Sequence, residues 1–586
     1  MKNILIAIRS IFKKGRHNVM KIVSLGIGLA VGLVLIAKVY FEQSYDDFYP
    51  DRDRVYQVWA KYQQNGGELK DYPQTSGGIA PTMQQQIPEI ETVTRYTSFG
   101  DWTFTMTDTK MKYSGRCIIA DSCFFDILPR PMLIGNAKEV LSIPMYVLVS
   151  SRIAKNIGGD VIGKNFTVDS SPGRTMTIGG VFEEVPENSH SRYDVIVSMA
   201  SAGRFMWEGS PTNMLGNDRY ISYVKLHKGV NPLALEEQVH TFVNSYFPPE
   251  EQQKTGFNIG FSFHELDGLH KELPQVKRMT WILSLLAFAL IFTAVMNYIL
   301  IVISSIVNRS KEVAVHKCYG ASENNIHGMM FGEALVHIVL SLILALLLIL
   351  AFRGTVEELL ATSLDSLLLS NGSLVLLGIC ILVFFVSGFM PGSLYARIPV
   401  ASAFRNYREN KRIWKKALLL VQFVATGFLV TMLVFVARQY TFMVNDRPGY
   451  AYENLAYCGL AGVDSTSRAK ILDEVMRLPG VVAATTVYQL PFEHASGNNI
   501  LLPGETQELF NIADLYWVGN GYLDMMEIPV IQGRSFTENV TNSREVMVDR
   551  RFVEKMKLVA GWTDDVIGKD ICVTEHSKWN EEPFTI

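Results

Sequence analysis

The stretch NRSKEVAVHKCYGAS, residues 308–322, decides the fold because it places a dense group of charges between two long apolar runs. It holds three basic residues, one glutamate and one histidine, and the flanking runs cover residues 279–307 and 329–352. A membrane-spanning helix needs roughly 20 consecutive apolar residues, and both runs are longer than that. The sequence therefore predicts two spans joined by a short charged helix at the membrane surface.

The composition agrees with a membrane protein that also has large aqueous parts. The chain has 586 residues, of which 48% are hydrophobic and 19% are charged, and its mean hydropathy is +0.15. A length of this order allows several domains. The net charge of −3 gives no indication of a nucleic-acid binder or of an acidic tail. The predicted partners therefore include the lipid bilayer and exclude nucleic acid.

Five apolar runs are long enough to be spans. They cover residues 19–40, 279–307, 329–352, 373–395 and 417–437. A basic flank accompanies the first run and consists of Lys13, Lys14, Arg16 and Lys21. For this first run the alternative is a cleaved signal peptide. A span is favoured, because the apolar run is long and no small-residue cleavage site follows it.

Basic residues mark the cytoplasmic side of these spans. They are concentrated in residues 1–18, 308–328 and 396–416, whereas the short loop after the third span is acidic. By the positive-inside rule, the basic segments are cytoplasmic. Residues 41–278 and 440–586 then lie outside the cytoplasm. Their strand-like alternation and turn residues predict two mixed α/β domains attached to an α-helical transmembrane bundle of five spans.

The two outer segments contain an internal repeat with three ordered matches. The first copy occupies residues 87–96, 120–136 and 146–168, and the second occupies residues 478–488, 518–536 and 545–573. The second copy stops at EEPFTI, near the equivalent of TMTI at residues 175–178. We therefore expect an incomplete second domain, completed beyond residue 586 together with about three further spans. The alternative is a chain that ends in an unfinished sheet with an exposed edge.

One span, an outer α/β domain and three spans, begun a second time, is an arrangement that resembles the FtsX-like and MacB-type ABC transporter permeases. YDDFYPDRDRVYQV (45–58) resembles the start of a MacB-type periplasmic core domain. ADSCFFDILPRPMLIGN (120–136) and IGGVFEEVPENSHSRYD (178–194) resemble later motifs of that domain. SGFMPGSLYARIPVASAFR (387–405) resembles the exit from the fourth span of the family.

Residues 308–322 resemble the family segment that follows the second span, with the pattern R-x-x-E-[IV]-x-[IV]-R-K-x-x-G-A. The matching positions are Arg309, Glu312, Val313, Val315, Lys317, Gly320 and Ala321. His316 replaces the usual arginine, which makes one charge titratable. Helical spacing places Val313 and Val315 on the surface, and Gly320 suits a left-handed helix end. The family implies docking of an ATPase on the coupling segment 308–328, through Arg309, Lys311, Glu312, Val313, Val315, His316, Lys317 and Gly320. The alternative is a solvated basic linker.

The resemblance implies a permease subunit that couples ATP hydrolysis by a separate cytoplasmic ATPase to movement of its outer domains, which is called mechanotransmission. It implies efflux or release of a drug, a peptide or a lipoprotein at the inner membrane of a bacterium. The implied partners are the ATPase, a second permease half in a dimer or pseudo-dimer, and a periplasmic adaptor or outer-membrane component. Two alternatives stay open: a signal transducer that transports nothing and activates an extracytoplasmic partner, and an inactive fragment.

No nucleotide site is predicted in the chain itself. GGDVIGKN (158–165) approaches the phosphate-binding pattern G-x-x-x-x-G-K-[ST], but Asn165 stands where a hydroxyl must bind Mg²⁺. The repeat copy DDVIGKD (564–570) lacks the first glycine, which a turn allows and a phosphate cradle does not. We therefore expect no catalytic residue, no metal and no directly bound cofactor, with ATP hydrolysed by the partner subunit.

Three polar residues fall inside the predicted spans, namely Asn297, Glu333 and His337. Glu333 and His337 are four residues apart near the cytoplasmic end, which favours an interfacial position or interhelical hydrogen bonding. Asn297 is interpreted as a residue that joins two helices. Pro391 is expected to end or bend the fourth span. A disulfide between Cys117 and Cys123 is disfavoured, since no cysteine framework is present.

Overall fold

The computed structural model describes residues 17–586 apart from several gaps. The gaps are residues 65–68, 170, 217–218, 256, 371, 397–398, 401–412, 447–448, 461–462, 492–495, 506–507, 537–543, 564 and 575–581. The predicted basic N-terminus and most of the predicted basic loop 396–416 therefore lie outside the described residues.

Five helices in the described part of the chain are long and apolar enough to cross a membrane. They are TM1 (Asn18–Gln43), TM2 (Pro274–Ser304), TM3 (Glu323–Ala351), TM4 (Ser373–Ala396) and TM5 (Ile413–Asn445). Each is longer than the apolar run that predicted it; polar residues continue TM1, TM2, TM3 and TM5 at one or both ends, and TM4 gains only Ala396. TM2 ends before residue 307, since a separate helix begins at Ile306. TM4 continues through Pro391, so this proline does not end the span; the bundle around a span tolerates an interior proline when neighbouring groups satisfy the freed carbonyl.

Small residues of TM1 set the packing of the bundle. A Cβ built on Gly28 would lie 2.2 Å from Ala294 Cβ on TM2, and one built on Gly32 would lie 2.4 Å from Ile291 Cγ1. A Cβ on Gly26 would lie 2.9 Å from Leu344 Cδ2 on TM3. Without a hydrophobic driving force in lipid, such close backbone approach is a main source of helix association. TM1 therefore lies between TM2 and TM3, whereas TM5 is almost wholly exposed.

The first outer domain is built on one mixed sheet that has eleven strands among the described residues. The strands are β1 (Val55–Gln64), β2 (Lys70–Tyr72), β3 (Ile90–Met106), β4 (Lys112–Ala120), β5 (Met132–Ile134), β6 (Tyr146–Ser150), β7 (Asn165–Val168), β8 (Ser171–Phe182), β9 (Val195–Ser198), β10 (Ile221–Leu226) and β11 (Phe257–Glu265). The main order is β11-β1-β10-β3-β4-β9-β6-β8-β5. Only the pairs β4/β9 and β6/β8 are parallel in this described sheet.

Short helices cover this sheet, and three apolar clusters fill the space between the layers. The α-helices are Ile79–Gln86, Phe124–Ile127, Ala137–Ser142, Ser151–Ile157, Glu236–Tyr246, Pro249–Thr255 and Gly268–Lys271, and the 3-10 helices are Arg52–Arg54, Met199–Arg204, Ser210–Thr212 and Pro232–Leu235. The start of β1 pairs with the end of β11, with Tyr56 opposite Glu265. Both connections to the membrane therefore leave from the same end of the same pair of strands.

The second outer domain has the strands β12 (Ser496–Leu501), β13 (Phe510–Leu515), β14 (Asp570–Val573) and β15 (Phe584–Thr585), in the order β13-β12-β14-β15. Its described α-helices are Ser465–Met476, Tyr522–Met525 and Arg550–Val559. A separate apolar cluster forms its core. The predicted membrane protein with five spans and mixed α/β outer structure is confirmed.

Backbone hydrogen bonds support the internal repeat. Gly163 donates to the carbonyl of Ile178 over 2.8 Å, and Gly568 donates to the carbonyl of Ile586 over 2.8 Å. Both glycines have a left-handed φ, of 78° and 82°. The threonine beside each carbonyl also corresponds, because Thr177 pairs with Asn165 as Thr585 pairs with Asp570. The two VIGK turns are therefore the same structural element, and residues 583–586 occupy the place of TMTI. In the second copy, residues 545–548 form no strand, and Glu545 makes an isolated bridge to Thr585.

Candidate functional site

A separate helix, Ile306–Cys318, lies at the end of TM2 opposite the outer domain, and we call it the connecting helix. Its C-terminus is closed by Gly320, whose φ is 86°. Gly320 N–H donates to the carbonyl of Lys317 over 3.0 Å, and Ala321 N–H donates to that of His316 over 3.1 Å. This pair of bonds is a Schellman motif, which requires a left-handed residue and explains the glycine. The predicted left-handed end is confirmed, and TM3 begins only three residues later.

A Gly320→Ala chain should weaken the end of the connecting helix. A Cβ in the left-handed region costs roughly 1–2 kcal/mol. The amides of Tyr319–Ala321 should then exchange with solvent about 5- to 30-fold faster in hydrogen-exchange measurements on the full chain. Gly354→Ala is the matched control, since Gly354 lies inside the helix Arg353–Leu360 and a Cβ there meets nothing within 4 Å. Unchanged exchange at residues 319–321 would contradict the role of Gly320.

One face of the connecting helix is fastened to the bundle. Val313 and Ala314 are each 1% exposed and belong to the core cluster of the bundle. The prediction that Val313 lies on the surface is therefore wrong, because Val313 packs into the apolar core of the bundle, where this helix contacts TM2 and TM4. Lys317 Nζ donates to the carbonyl of Ala396 over 2.7 Å, at the C-terminus of TM4. A cation at this place suits the negative end of a helix dipole.

The opposite face of the connecting helix is exposed. It presents Lys311, Val315 and His316, with Val315 43% exposed. Tyr319, at the tip, is 89% exposed. The sequence analysis did not identify Tyr319 as a docking residue. The available signal was its position directly before Gly320, the glycine predicted to end the helix. Glu312 is half-buried between the two faces, and the side chain of Arg309 lies outside the described part of the structure.

A buried ion pair joins TM1 to TM3. Lys21 Nζ lies 3.6 Å from Glu333 Oε1, and the two side chains are 0% and 7% exposed. Asn18 Oδ1 accepts a hydrogen bond from Lys21 Nζ over 3.2 Å. The assignment of Lys21 to the basic flank before the first span is wrong, because TM1 begins at Asn18 and carries this lysine inside the bundle. Glu333 therefore makes an interhelical contact, with a partner that the sequence did not identify.

His337 links TM3 to TM2. Its Nδ1 lies 3.1 Å from the hydroxyl of Tyr298, and His337 is 1% exposed. Asn297, the neighbouring residue on TM2, is half-buried. At the cytoplasmic end of TM2, the hydroxyl of Tyr395 donates to the carbonyl of Val302 over 3.1 Å. Polar contacts therefore tie TM2 both to TM3 and to TM4.

At the outer end of the bundle, TM1 meets the loop between TM3 and TM4. Lys38 Nζ lies 2.7 Å from Glu42 Oε1 and donates to Thr362 Oγ1 over 2.7 Å. Glu42 Oε2 in turn lies 2.6 Å from His270 Nε2, just before TM2. The His270 ring stacks on Tyr45 with a centroid distance of 3.5 Å. These contacts hold three membrane connections together in one cluster.

The loop 186–192, inside the motif IGGVFEEVPENSHSRYD, completes this junction. Asp46 N–H donates to the carbonyl of Asn188 over 2.9 Å, and Asn188 Nδ2 donates to the carbonyl of Ser44 over 2.6 Å. Ser363 N–H, in the TM3–TM4 loop, donates to Glu187 Oε2 over 3.0 Å. We call the whole junction the neck. It consists of residues 38–49, 186–192, 266–273 and 353–369.

A polar chain runs from the neck into the sheet. His190 Nδ1 lies 2.8 Å from Asp46 Oδ2, and His190 Nε2 lies 2.5 Å from the hydroxyl of Tyr223 on β10. Burial raises the pKa of Tyr223, so this phenol stays protonated. A carboxylate can only accept, so His190 Nδ1 donates to Asp46, and Nε2 shares the second hydrogen bond with the phenol of Tyr223. These hydrogen bonds, which we call the Asp46–His190–Tyr223 relay, therefore join the end of TM1 to the sheet.

Residues 158–165 form a turn that leads from the helix Ser151–Ile157 into β7. A phosphate-binding loop has the reverse order, with a strand before it and a helix after it. Lys164 Nζ donates to the carbonyl of Gly158 over 3.4 Å. Neither Cys117 nor Cys123 forms a disulfide, and the described residues contain no cluster of metal-ligating side chains.

Comparison with known proteins gives matches for both parts of the architecture. The model of the MacB-like periplasmic core domain matches residues 20–242, and that of the FtsX-like permease C-terminal matches residues 284–400. No curated protein matches the chain.

Three solved structures illustrate what this chain is similar to. A domain assigned to a permease of Porphyromonas gingivalis is 32% identical, and the match covers 37% of this chain and 91% of that one, with a TM-score of 0.34. The periplasmic region of MacB from Actinobacillus actinomycetemcomitans is 16% identical, with coverages of 37% and 92% and a TM-score of 0.25. The extracellular domain of the noncanonic ABC-type transporter YknZ from Gram-positive bacteria is 10% identical, with coverages of 36% and 98% and a TM-score of 0.26.

The two matched models together take in most of TM1, the first outer domain up to residue 242, most of TM2, the connecting helix, TM3 and TM4. The protein is accordingly a multi-pass membrane protein with an extracytoplasmic domain. Members of such families generally work with a cytoplasmic ATPase. The chain belongs to the FtsX-like, MacB-type permeases and is a permease subunit of the ABC transporter class.

Proposed function

We propose that this permease couples ATP hydrolysis by a separate cytoplasmic ATPase to movement of its outer domains, and thereby expels or releases material on the outer side of the membrane. The observation that carries the proposal is the two-sided connecting helix. One face is held by the bundle through Val313 and Lys317, and the other presents Lys311 and Tyr319 to the aqueous phase. A helix fixed on one side transmits a force that is applied to the other.

The contacts of the bundle support a route for that force. The connecting helix leads into TM3 after a short turn, and TM3 contacts TM1 through Lys21 and Glu333. At the other end, the neck joins TM1 to the sheet and to the TM3–TM4 loop through the contacts of Asp46 and Glu187. Since the described residues of these elements pack directly against one another, a displacement at one end moves the other.

The proposal has further parts. The chain lies in the bacterial cytoplasmic membrane, binds no cofactor itself and works as a dimer or pseudo-dimer of permease halves. A periplasmic adaptor or an outer-membrane component receives the substrate. The exposed charges of the connecting helix favour a reversible contact with the ATPase, because rim charges affect association rates more than they affect final affinity.

Two substitutions on the exposed face test the docking. We expect Lys311→Glu and Tyr319→Ala each to reduce the amount of ATPase that co-purifies with the tagged full chain from its own membranes. Truncating an interface tyrosine at a hot spot costs about 2 kcal/mol, which corresponds to a roughly 30-fold loss of affinity. The measurement is the molar ratio of ATPase to permease, together with ATP turnover by the complex.

The controls apply the same changes to exposed residues of the outer domains. Lys155→Glu reverses a charge on the helix Ser151–Ile157, and Tyr488→Ala removes a tyrosine that is 76% exposed. Both should leave the ATPase ratio unchanged. An unchanged ratio for Lys311→Glu and Tyr319→Ala would refute docking on this face. Normal ATP turnover and outer-domain movement without any substrate export would instead favour the signal transducer.

A further inference from the structure

Burying Lys21 and Glu333 between two helices has a large desolvation cost. Both side chains are excluded from solvent, at 0% and 7% exposure. Ionised groups inside a bilayer are costly, and they occur mainly where function needs them. A well-packed apolar pair commonly gives equal or greater stability than a buried ion pair. Stability alone therefore gives no reason for these two residues.

Other contacts already hold TM1 against TM3. A Cβ on Gly26 would lie 3.2 Å from the backbone carbonyl oxygen of Ser341, which shows how closely the backbones approach. Ser341 Oγ donates to the carbonyl of Ile22 over 3.1 Å. The ion pair lies on the cytoplasmic side of these contacts, since both helices run outward along the chain. It is therefore positioned between the packed interface and the connecting helix.

We propose that Lys21 and Glu333 form a charge latch that makes TM1 follow TM3 when the connecting helix moves. This inference rests on the proposed function and adds the residues that transmit the movement. TM3 is the span next to the connecting helix, and TM1 is the span that leads into the neck. The latch joins the element that receives the force to the element that carries the outer domain.

A charge pair suits a moving interface better than apolar contact does. Coulomb attraction falls as the inverse of distance, so a displacement of about 1 Å from the present separation loses only about a fifth of it. Dispersion contacts lose roughly a quarter to a half of their energy over a similar gap. The latch therefore holds TM1 during a shift that would release a packed apolar contact.

The test uses the full chain in lipid nanodiscs, with spin labels on cysteines at positions 27 and 343 in a cysteine-free background. Ile27 on TM1 and Ile343 on TM3 are 52% and 51% exposed, so labels there do not enter the core. We expect a narrow distance distribution for the otherwise unchanged chain. Lys21→Met and Glu333→Gln should each broaden it, and the exchange Lys21→Glu with Glu333→Lys should restore it. Ser24→Ala, which removes a neutral hydrogen bond within TM1 to the carbonyl of Lys21, is the matched control and should leave the width unchanged.

The second arm adds the co-purifying ATPase with Mg²⁺ and ATP. In the unchanged chain the distance between positions 27 and 343 should stay constant during turnover, because TM1 follows TM3. In the double variant Lys21→Met with Glu333→Met, which removes both charges and keeps an apolar core, ATP should change this distance and uncouple outer-domain movement at least tenfold. Unchanged coupling in this double variant, or unchanged width in the single variants, would overturn the latch. A chain that neither binds the ATPase nor responds to ATP before any substitution contradicts the proposed function instead.

Discussion

A Gly28→Val chain is expected to lose the close contact between TM1 and TM2. A Cβ at this position would lie 2.2 Å from Ala294 Cβ, and neither atom belongs to a flexible side-chain end. The two backbones must therefore move apart. Overpacking of this kind costs about 1–3 kcal/mol, and the loss of close small-residue packing removes a main source of helix association in lipid. The measurement is the midpoint of unfolding of the purified chain in mixed micelles with increasing denaturing detergent.

Two variants make this prediction specific. Gly378→Val changes a glycine of TM4 where a Cβ meets nothing within 4 Å. It should change the free energy of unfolding by less than about 0.5 kcal/mol and leave the midpoint nearly unchanged. The exchange Gly28→Ala with Ala294→Gly moves one methyl group across the same contact and should recover most of the lost stability. Equal destabilisation by Gly28→Val and Gly378→Val would show that the TM1–TM2 contact is not the cause.

An Asp46→Ala chain is expected to detach the neck from the first outer domain. Asp46 is 0% exposed, and its carboxylate accepts hydrogen bonds from His190 Nδ1 over 2.8 Å and Ser189 Oγ over 3.2 Å. Hydrogen bonds to a charged group are each worth about 1.5–3 kcal/mol, so we expect a loss of about 3 kcal/mol. Thermal unfolding of the full chain, followed by near-ultraviolet circular dichroism, should then occur several degrees lower.

Asp46 also has a φ of 61°, so the loss of stability in Asp46→Ala has two causes, the lost carboxylate and the strained backbone. Asn tolerates the left-handed region, so Asp46→Asn keeps the backbone and removes the charge, whereas Asp46→Ala also adds backbone strain. Asp53→Asn is the matched control. It changes an exposed carboxylate in the 3-10 helix Arg52–Arg54 and should have little effect. A double-mutant cycle with His190→Asn should show strong coupling. Additive losses at Asp46 and His190 would contradict the relay.

The spans and the Schellman end of the connecting helix were predictable because each depends on local sequence. A run of apolar residues long enough to cross a bilayer leaves few alternatives. Gly320 follows a helical pattern at the place where a left-handed residue is needed, and its φ is 86°. The repeat was predictable for the same reason, since each VIGK turn depends on one glycine with positive φ at Gly163 and Gly568.

The partners of charged residues were not predictable, because they lie far away in the chain. Lys21 resembled part of the basic flank before the first span until the structure placed Glu333 beside it, 3.6 Å away. Val313 resembled a surface residue of an amphipathic helix, although the core of the bundle buries it to 1% exposure. Loop 186–192 has no local signal for its role in the neck, where Glu187 meets Ser363.

The sequence by itself determined that this chain has five apolar runs of membrane-spanning length and that its outer structure repeats, and it predicted which side its charged segments face. These properties follow from the cost of moving charge and unpaired backbone groups into hydrocarbon, and that cost is paid residue by residue. Only the tertiary structure decided which face of the connecting helix is available and which residues join the bundle to the outer domain. Those depend on contacts between positions hundreds of residues apart, as with Lys21 and Glu333, which no local pattern encodes.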